Sequence, residues 1–195
     1  MDIITLPRLM TKMPRFLMGL PSTIKGLRLS KAADKTKPIG LGVCVEVDAQ
    51  KNPDGLALMY QDTQLTWAQF NAWANRIAHS LKRCGIRKGD AIVVLLENRP
   101  ELMAVTVACA KICAVSALVN TAQRGKALVH SINLVQPQAA VVGDELLAAH
   151  QEVESTLKVP KKNRFYLADL YTLKESGAGP TYWKNLTFAI DGQPD

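Results

Sequence analysis

The spacing of apolar residues between positions 56 and 85 predicts a β-hairpin followed by an amphipathic helix. Two short apolar runs in LALMYQDTQLTW flank the polar residues 61–63, as is typical of a hairpin. Thr66 is suited to cap the helix, and Gln69 three positions later completes a capping box. Gly85 is expected to end the helix. The apolar residues expected to face the core are Phe70, Trp73, Ala74, Ile77, Ala78 and Leu81.

Beyond residue 90, short apolar runs alternate with amphipathic segments. The run AIVVLL has no polar position, which is typical of a strand buried on both faces of a parallel sheet. Further strands are predicted at residues 115–119, 139–142 and 164–168, and helices after Pro100, at 126–135 and at 144–157. This alternation predicts an α/β fold: a partial doubly wound, mostly parallel sheet with helices on both faces, preceded by the hairpin.

The helix after the first of these strands is predicted to start at Asn98 and Pro100, which suit an N-cap and a first helical turn. Its apolar stripe is Leu102, Val105, Cys109 and Ile112. Residues 102–119 also reach the length of a transmembrane helix. Because Lys111 lies mid-segment and alanines dilute the larger apolar residues, a helix followed by a strand is the favoured interpretation.

The first 37 residues form an amphipathic basic head. They hold eight basic and two acidic residues, which gives +6 of the formal net charge of +7. Apolar anchors beside Lys and Arg suit the surface of an anionic bilayer. The candidates for membrane contact are Arg8, Lys12, Arg15, Phe16, Leu17, Lys25 and Arg28. The alternative is a partly disordered lead-in that packs on the domain or on a partner.

Three regions are therefore expected: a membrane-proximal head at 1–37, a linker at 38–55, and an α/β region at 56–195. Outside the head the charge is close to neutral, so no basic face is predicted on the fold. Since that region also lacks aromatic residues interleaved with basic ones, nucleic acid is not expected as a partner.

Few residues indicate chemistry on their own. The cysteines form no CxxC pair, which favours a reducing cytosol, and Cys109 and Cys113 are interpreted as core residues rather than metal ligands. His79, His130 and His150 fall on different predicted helices and are interpreted as surface or helix-face residues. There is no glycine-rich phosphate loop. No catalytic, cofactor-binding or metal-binding residue is therefore assigned.

Two loops at strand ends remain as candidate sites. Glu97, Arg99 and Glu101 follow the strand at 91–96, at the edge where open α/β sheets bind ligands, but capping and solvation are the favoured roles. The corner LVNTAQRGKALVH, residues 118–130, offers a basic turn. It is interpreted as a strand-to-helix crossover because the next apolar stripe begins just after Gly125.

Three segments carry a family resemblance: LTWAQFNAWANRIAHSL, GIRKGDAIVVLLENRPE, and ALVNTAQRG followed by LVHSI. In this order and spacing they resemble the amino-terminal region of adenylate-forming (AMP-binding) enzymes, especially long-chain and very-long-chain acyl-CoA synthetases of the fatty-acid transport protein type. The resemblance is strong over residues 55–147 and weaker to about 169.

This resemblance implies a ligase that joins a long-chain fatty acid to CoA through an acyl-adenylate, using ATP and Mg²⁺. It implies a cytoplasmic enzyme peripheral to the inner membrane. The phosphate loop and the carboxy-terminal catalytic domain of such enzymes lie downstream of the quoted segments, and neither is recognisable here. The chain is therefore expected to be an amino-terminal fragment that is inactive alone and binds no cofactor by itself.

Two alternatives stay open at this point. In the first, the chain is one half of a split synthetase that a separate carboxy-terminal portion completes, or it forms a homodimer. In the second, it is a non-enzymatic scaffold that binds membranes through the basic head alone.

Overall fold

The structure is a computed structural model that describes residues 39–168 and 184–186, together with Pro21 and Ile24. The chain divides into two compact units, Met1–Ile39 and Gly40–Asp195. All seven candidates for membrane contact lie outside the described residues. The role of the head therefore stays a prediction.

The first element corrects the prediction of a linker at 38–55, because helix α1 occupies Leu41–Lys51 within it. Val45 of α1 is buried in the main core. Gly42 allows a close approach to the end of another helix, since a Cβ built there would lie 2.9 Å from the backbone nitrogen of Lys111. The Lys111 ammonium also lies 2.7 Å from the carboxylate of Glu46.

The hairpin and the helix after it are confirmed. Strands β1 (Leu56–Tyr60) and β2 (Thr63–Thr66) pair antiparallel, and helix α2 spans Trp67–Arg83. The Thr66 hydroxyl accepts from the Gln69 N–H, and the Gln69 side chain accepts from the Thr66 N–H, so the capping box is present. Gly85 has φ +88°, a conformation that favours glycine, where the chain leaves the helix. All six residues of the predicted stripe are buried.

A parallel sheet organises the rest of the described chain. The strand order is β4-β3-β5-β6-β7, and every neighbouring pair is parallel. This arrangement confirms the predicted α/β class. The strands are β3 (Ala91–Leu95), β4 (Val115–Leu118), β5 (Ala139–Gly143), β6 (Arg164–Leu167) and β7 (Lys184–Asn185).

Three helices connect these strands: α3 (Pro100–Lys111), α4 (Gly125–Leu134) and α5 (Leu147–Val153). Asn98 is not the N-cap of α3, because Arg99 occupies that position without a side-chain cap. The long helix predicted at 144–157 is broken into α5 and two flanking 3₁₀ turns. In the first turn, the Asp144 carboxylate accepts from the Glu145 N–H and lies near Arg99, so local side-chain contacts replace regular helix.

Alternate residues of the central strands face two separate cores. Ile92 and Val94 pack in the core that includes α2 and α3, whereas Val93 and Leu95 pack in the core under α4 and α5. Helices therefore cover both faces of the sheet. In the predicted α3 stripe, Val105 and Cys109 are fully buried, and Leu102 and Ile112 pack partly against the same core.

The alternative of a transmembrane segment at 102–119 does not fit this structure. Residues 100–111 are a 12-residue helix and residues 115–118 are a strand of the sheet. Within the described part of the chain, no helix has the length and apolar character needed to span a bilayer.

Candidate functional site

The candidate site lies at the carboxyl edge of the sheet, where the loops after β3, β5 and β6 converge. From β3 the chain crosses to β4 on one side, while β5 pairs with β3 on the other side. This reversal of strand order is the place where open α/β sheets form a ligand-binding crevice. The side chains that follow the strands there are mainly acidic, with Arg99 among them.

Arg99 fills the crevice and connects the ends of neighbouring strands. Its side chain is 3% exposed. The guanidinium donates to the backbone carbonyls of Leu167 at 2.8 Å and Ala168 at 3.2 Å, both at the end of β6. It also donates to the Glu145 carboxylate at 3.1 Å, just after β5. One side chain at the start of α3 therefore joins the carboxyl ends of two other strands.

Three carboxylates surround this single guanidinium. Glu145 lies at 3.1 Å, Glu101 at 3.3 Å and Asp144 at 3.6 Å from its nitrogens. Glu101 has a fully buried side chain. Because a buried carboxylate without a cation is costly, Arg99 and Glu101 depend on each other. Their predicted roles in capping and solvation are wrong: both residues form a buried ion pair.

Glu145 uses both carboxylate oxygens to connect β5 with β3. One oxygen accepts from the Glu97 backbone N–H at 2.9 Å, and the other accepts from Arg99. Burial raises the pKa of the Glu145 carboxyl, and a hydrogen bond with Asp144 raises it further, while the Glu97 N–H and Arg99 act in the opposite direction. Burial and Asp144 therefore disfavour the charged form of Glu145, whereas its two hydrogen-bond donors favour it.

Sequence reasoning identified Glu97, Arg99 and Glu101 but missed Asp144 and Glu145. A signal for them was present, since the two acidic residues directly follow the apolar run that forms β5. The carboxyl ends of adjacent parallel strands meet at one edge, and β5 pairs with β3. Strand order was the missing information, because the sequence does not state which strands are neighbours.

The corner at 118–130 is confirmed as a strand-to-helix crossover. The Asn120 side chain accepts from the Ala122 N–H at 2.9 Å. Arg124 donates to the carbonyls of Thr121 at 2.5 Å and Gln123 at 2.7 Å. Gly125 then begins α4 with φ +50°. These polar side chains hold the loop's own backbone, so the corner's role is structural.

The histidine prediction is wrong for one of three residues. His130 is exposed and His79 partly exposed, but His150 is fully buried in α5. Burial and, to a smaller extent, the positive charge of Arg164 lower the pKa of His150 to about 4, against the opposing effect of Glu154. Arg164 itself pairs with Glu154. His150 is therefore neutral at physiological pH.

The cysteines give no metal or redox site among the described residues. Burial raises the pKa of the Cys109 thiol to about 12, so it is an unreactive core residue. The interpretation of Cys113 as a core residue is wrong, because Cys113 is exposed, with φ +56° at the turn after α3. No group of three or more His, Cys, Asp or Glu side chains in the described part is placed to hold a metal ion.

The carboxyl edge does not fit a nucleotide phosphate. Three carboxylates outnumber the one guanidinium, and the two terminal nitrogens of that guanidinium already meet carbonyl and carboxylate oxygens. An added phosphate would meet net negative charge. Among the described residues, Arg99 and its three carboxylate partners therefore connect the strands at this edge. We call this cluster of Arg99, Glu101, Asp144 and Glu145 the Arg99 brace.

Comparison with known proteins identifies the family. The protein-family model described as "AMP-binding enzyme" matches residues 45–184. The chain belongs to this family. The resemblance noted in the sequence is thereby confirmed, and the brace around Arg99 lies within the matched region of this AMP-binding family member.

Two relatives illustrate the match. The Medium/long-chain-fatty-acid–CoA ligase FadD6 of Mycobacterium tuberculosis is 31% identical over 144 residues, covering 74% of this chain and 24% of that protein. Long-chain fatty acid transport protein 6 of Mus musculus is 32% identical over 118 residues, covering 60% of this chain and 19% of that protein. The chain spans about a quarter or less of the length of these relatives.

Solved structures share the fold. An anthranilate CoA ligase, AuaEII, in complex with anthranoyl-AMP superposes with a TM-score of 0.71 at 18% identity, over 82% of this chain and 30% of that one. A long-chain-fatty-acid–CoA ligase from Archaeoglobus fulgidus gives a TM-score of 0.64 at 17% identity, over 80% and 30%. At such identities the likeness concerns the fold alone.

Proposed function

We propose that this chain forms the amino-terminal part of a long-chain fatty acid–CoA ligase, which converts a fatty acid, ATP and CoA into acyl-CoA, AMP and diphosphate. The observation that carries the proposal is the 31% identity to the Mycobacterium tuberculosis ligase over 144 residues. The match to the AMP-binding family over residues 45–184 supports it.

In this proposal the chain supplies structure, and the chemistry of ATP, Mg²⁺ and CoA is supplied by other parts of the ligase. The described carboxyl edge repels phosphate because its carboxylates outnumber its guanidinium. What it offers is a rigid edge: Arg99 and Glu145 fix the starts of the loops after β3, β5 and β6. The chain alone is accordingly proposed to be inactive and to bind no cofactor.

The proposal extends to location. A long-chain fatty acid is the substrate, and the enzyme is cytoplasmic and peripheral to the inner membrane. The basic head at 1–37 is proposed to contact anionic lipid through Arg8, Lys12, Arg15, Phe16, Leu17, Lys25 and Arg28. Its charge of +6 supports this contact.

A chimera tests the proposed activity. Residues 45–168 of this chain replace the aligned segment of the Mycobacterium tuberculosis ligase, and AMP formation is measured with and without a long-chain fatty acid. We expect fatty-acid-dependent AMP from the chimera and none from the isolated chain. The matched control is the unmodified mycobacterial ligase.

Two outcomes would contradict the proposal. A chimera that is folded by circular dichroism yet forms no AMP would show that this segment does not serve the reaction. Turnover by the isolated chain would show that its own residues carry the chemistry, against the proposed division of roles.

A further inference from the structure

The amino-terminal edge of the sheet, opposite the Arg99 brace, carries a concentrated positive charge. Six basic side chains lie in the two segments that lead into β3 and β6, and all six are exposed. We name this surface the amino-edge patch. Its members are Lys82, Arg83, Arg87, Lys88, Lys161 and Lys162.

The fold brings these two distant segments together. Arg87 of the first segment and Lys162 of the second line the same cleft, of about 410 Å³, together with Asp90 and Gln138. The Asn163 side chain donates to the Gln138 carbonyl at 2.9 Å, and the Gln138 N–H donates to the Ala91 carbonyl at 2.8 Å. These bonds join the starts of three adjacent strands. The net charge outside the head is near neutral, but this number does not show the local cluster of basic residues at the amino edge.

The positive charge of the patch is only partly offset by its acidic neighbour in the sequence. Asp90 is the one acidic residue between positions 82 and 90; it lines the cleft, and its carboxylate accepts from the Arg87 backbone N–H at 2.7 Å. None of the six side chains forms an ion pair with another described residue. The basic residues that do form such pairs are Arg99, Lys111 and Arg164, whose side chains are at most 5% exposed.

We propose that the amino-edge patch is a docking surface for an anionic membrane. Its charges are numerous and exposed, which suits a dispersed array of lipid headgroups, each basic residue contributing about 1 kcal/mol near such a surface. Neither segment contains an aromatic residue, which disfavours single-stranded nucleic acid. Ile86 and Val159 are buried, so the contact is electrostatic without insertion of apolar side chains. This surface is independent of the basic head and of the proposed catalytic role.

Vesicle sedimentation of the full chain tests the patch. The variant K88Q/K162Q removes one charge from each segment, and the control K51Q/K126Q removes two exposed charges from elsewhere on the fold. Both keep the basic head, so the head contributes equally. On vesicles of phosphatidylcholine with phosphatidylserine, we expect about thirtyfold weaker binding for the patch variant. The control should lose about threefold or less, because its charges lie outside the patch.

Equal losses in the two variants would overturn the proposal, since net charge alone would then explain binding. So would full retention of binding by K88Q/K162Q. Binding to a fluorescent single-stranded RNA that is weakened by K88Q/K162Q, with no binding to the anionic vesicles, would assign the patch to nucleic acid instead. Circular dichroism of both variants establishes that they are folded.

Discussion

At the carboxyl edge of the sheet, Arg99 is 4% exposed and held by carbonyls and carboxylates, whereas at the amino edge six basic side chains are exposed to solvent. Both edges are made of loops that join the same strands and helices. They differ in whether the charged side chains are buried or exposed to solvent. A buried charge requires compensating partners within the protein, and these contacts fix the positions of the strand ends. An exposed charge remains available to a partner molecule.

Buried and exposed basic side chains have different consequences for function. An arginine at a strand end suggests a ligand-binding role, yet the terminal nitrogens of Arg99 donate to carbonyl and carboxylate oxygens of the protein itself. The exposed lysines were overlooked because each is ordinary alone. Their proposed role depends on the cleft at which Arg87 and Lys162 meet.

The largest expected effect comes from breaking the carboxyl edge with Arg99→Met. This change leaves Glu101, with a fully buried side chain, without its cation and removes the bonds to β6. We expect the free energy of unfolding in urea to fall by about 3–5 kcal/mol. The matched control, Lys88→Met at the amino edge, should change it by no more than about 0.5 kcal/mol because Lys88 is exposed. Equal effects at the two edges would refute the contrast.

A second prediction concerns the buried charge that lies near the amino edge. Arg164, at the start of β6, pairs with Glu154, and its positive charge opposes protonation of buried His150. Because the folded-state pKa of His150 is lowered from 6.5 to about 4, its stabilising contribution is complete above pH 6.5. It is lost as the pH falls from 6.5 towards 4, and the total loss is roughly 3 kcal/mol.

Urea unfolding between pH 7 and pH 4 measures this loss. His150→Gln should remove most of the acid-side decline that His150 causes, whereas exposed His130→Gln should leave the decline unchanged. Unchanged pH dependence in His150→Gln would mean that buried histidine does not limit acid stability.

Local patterns in the sequence predicted most elements of the fold. The capping box at Thr66 and the apolar run of β3 act through neighbouring residues, so they could be read directly. Helix α1 was missed because the apolar patch around Val45 is short and flanked by residues typical of linkers. What fixes α1 is its close packing at Gly42 against Lys111, a contact between positions far apart in sequence.

The candidate site was less predictable, since it depends on strand order. The Glu97 N–H donates a hydrogen bond to the Glu145 carboxylate because β3 and β5 are neighbours in the sheet, although β4 lies between these two strands in the sequence. The same limitation hid the amino-edge patch, whose two segments meet across β5. The residues at the strand ends could therefore be predicted from local sequence, whereas the contacts among them depend on the order of the strands in the sheet.

The smallest expected effect is a local disturbance of the brace by Gly143→Ala. A Cβ at this last position of β5 would meet the carboxylate of Glu145, which two hydrogen bonds hold in place. The carboxylate must shift, which weakens its bonds to the Glu97 N–H and Arg99. We expect the free energy of unfolding to fall by about 1–2 kcal/mol. Gly40→Ala is the matched control, since nothing lies within 4 Å of a Cβ there. If Gly143→Ala were as neutral as this control, Glu145 would be adaptable, and the carboxyl edge would be less rigid than its contacts indicate.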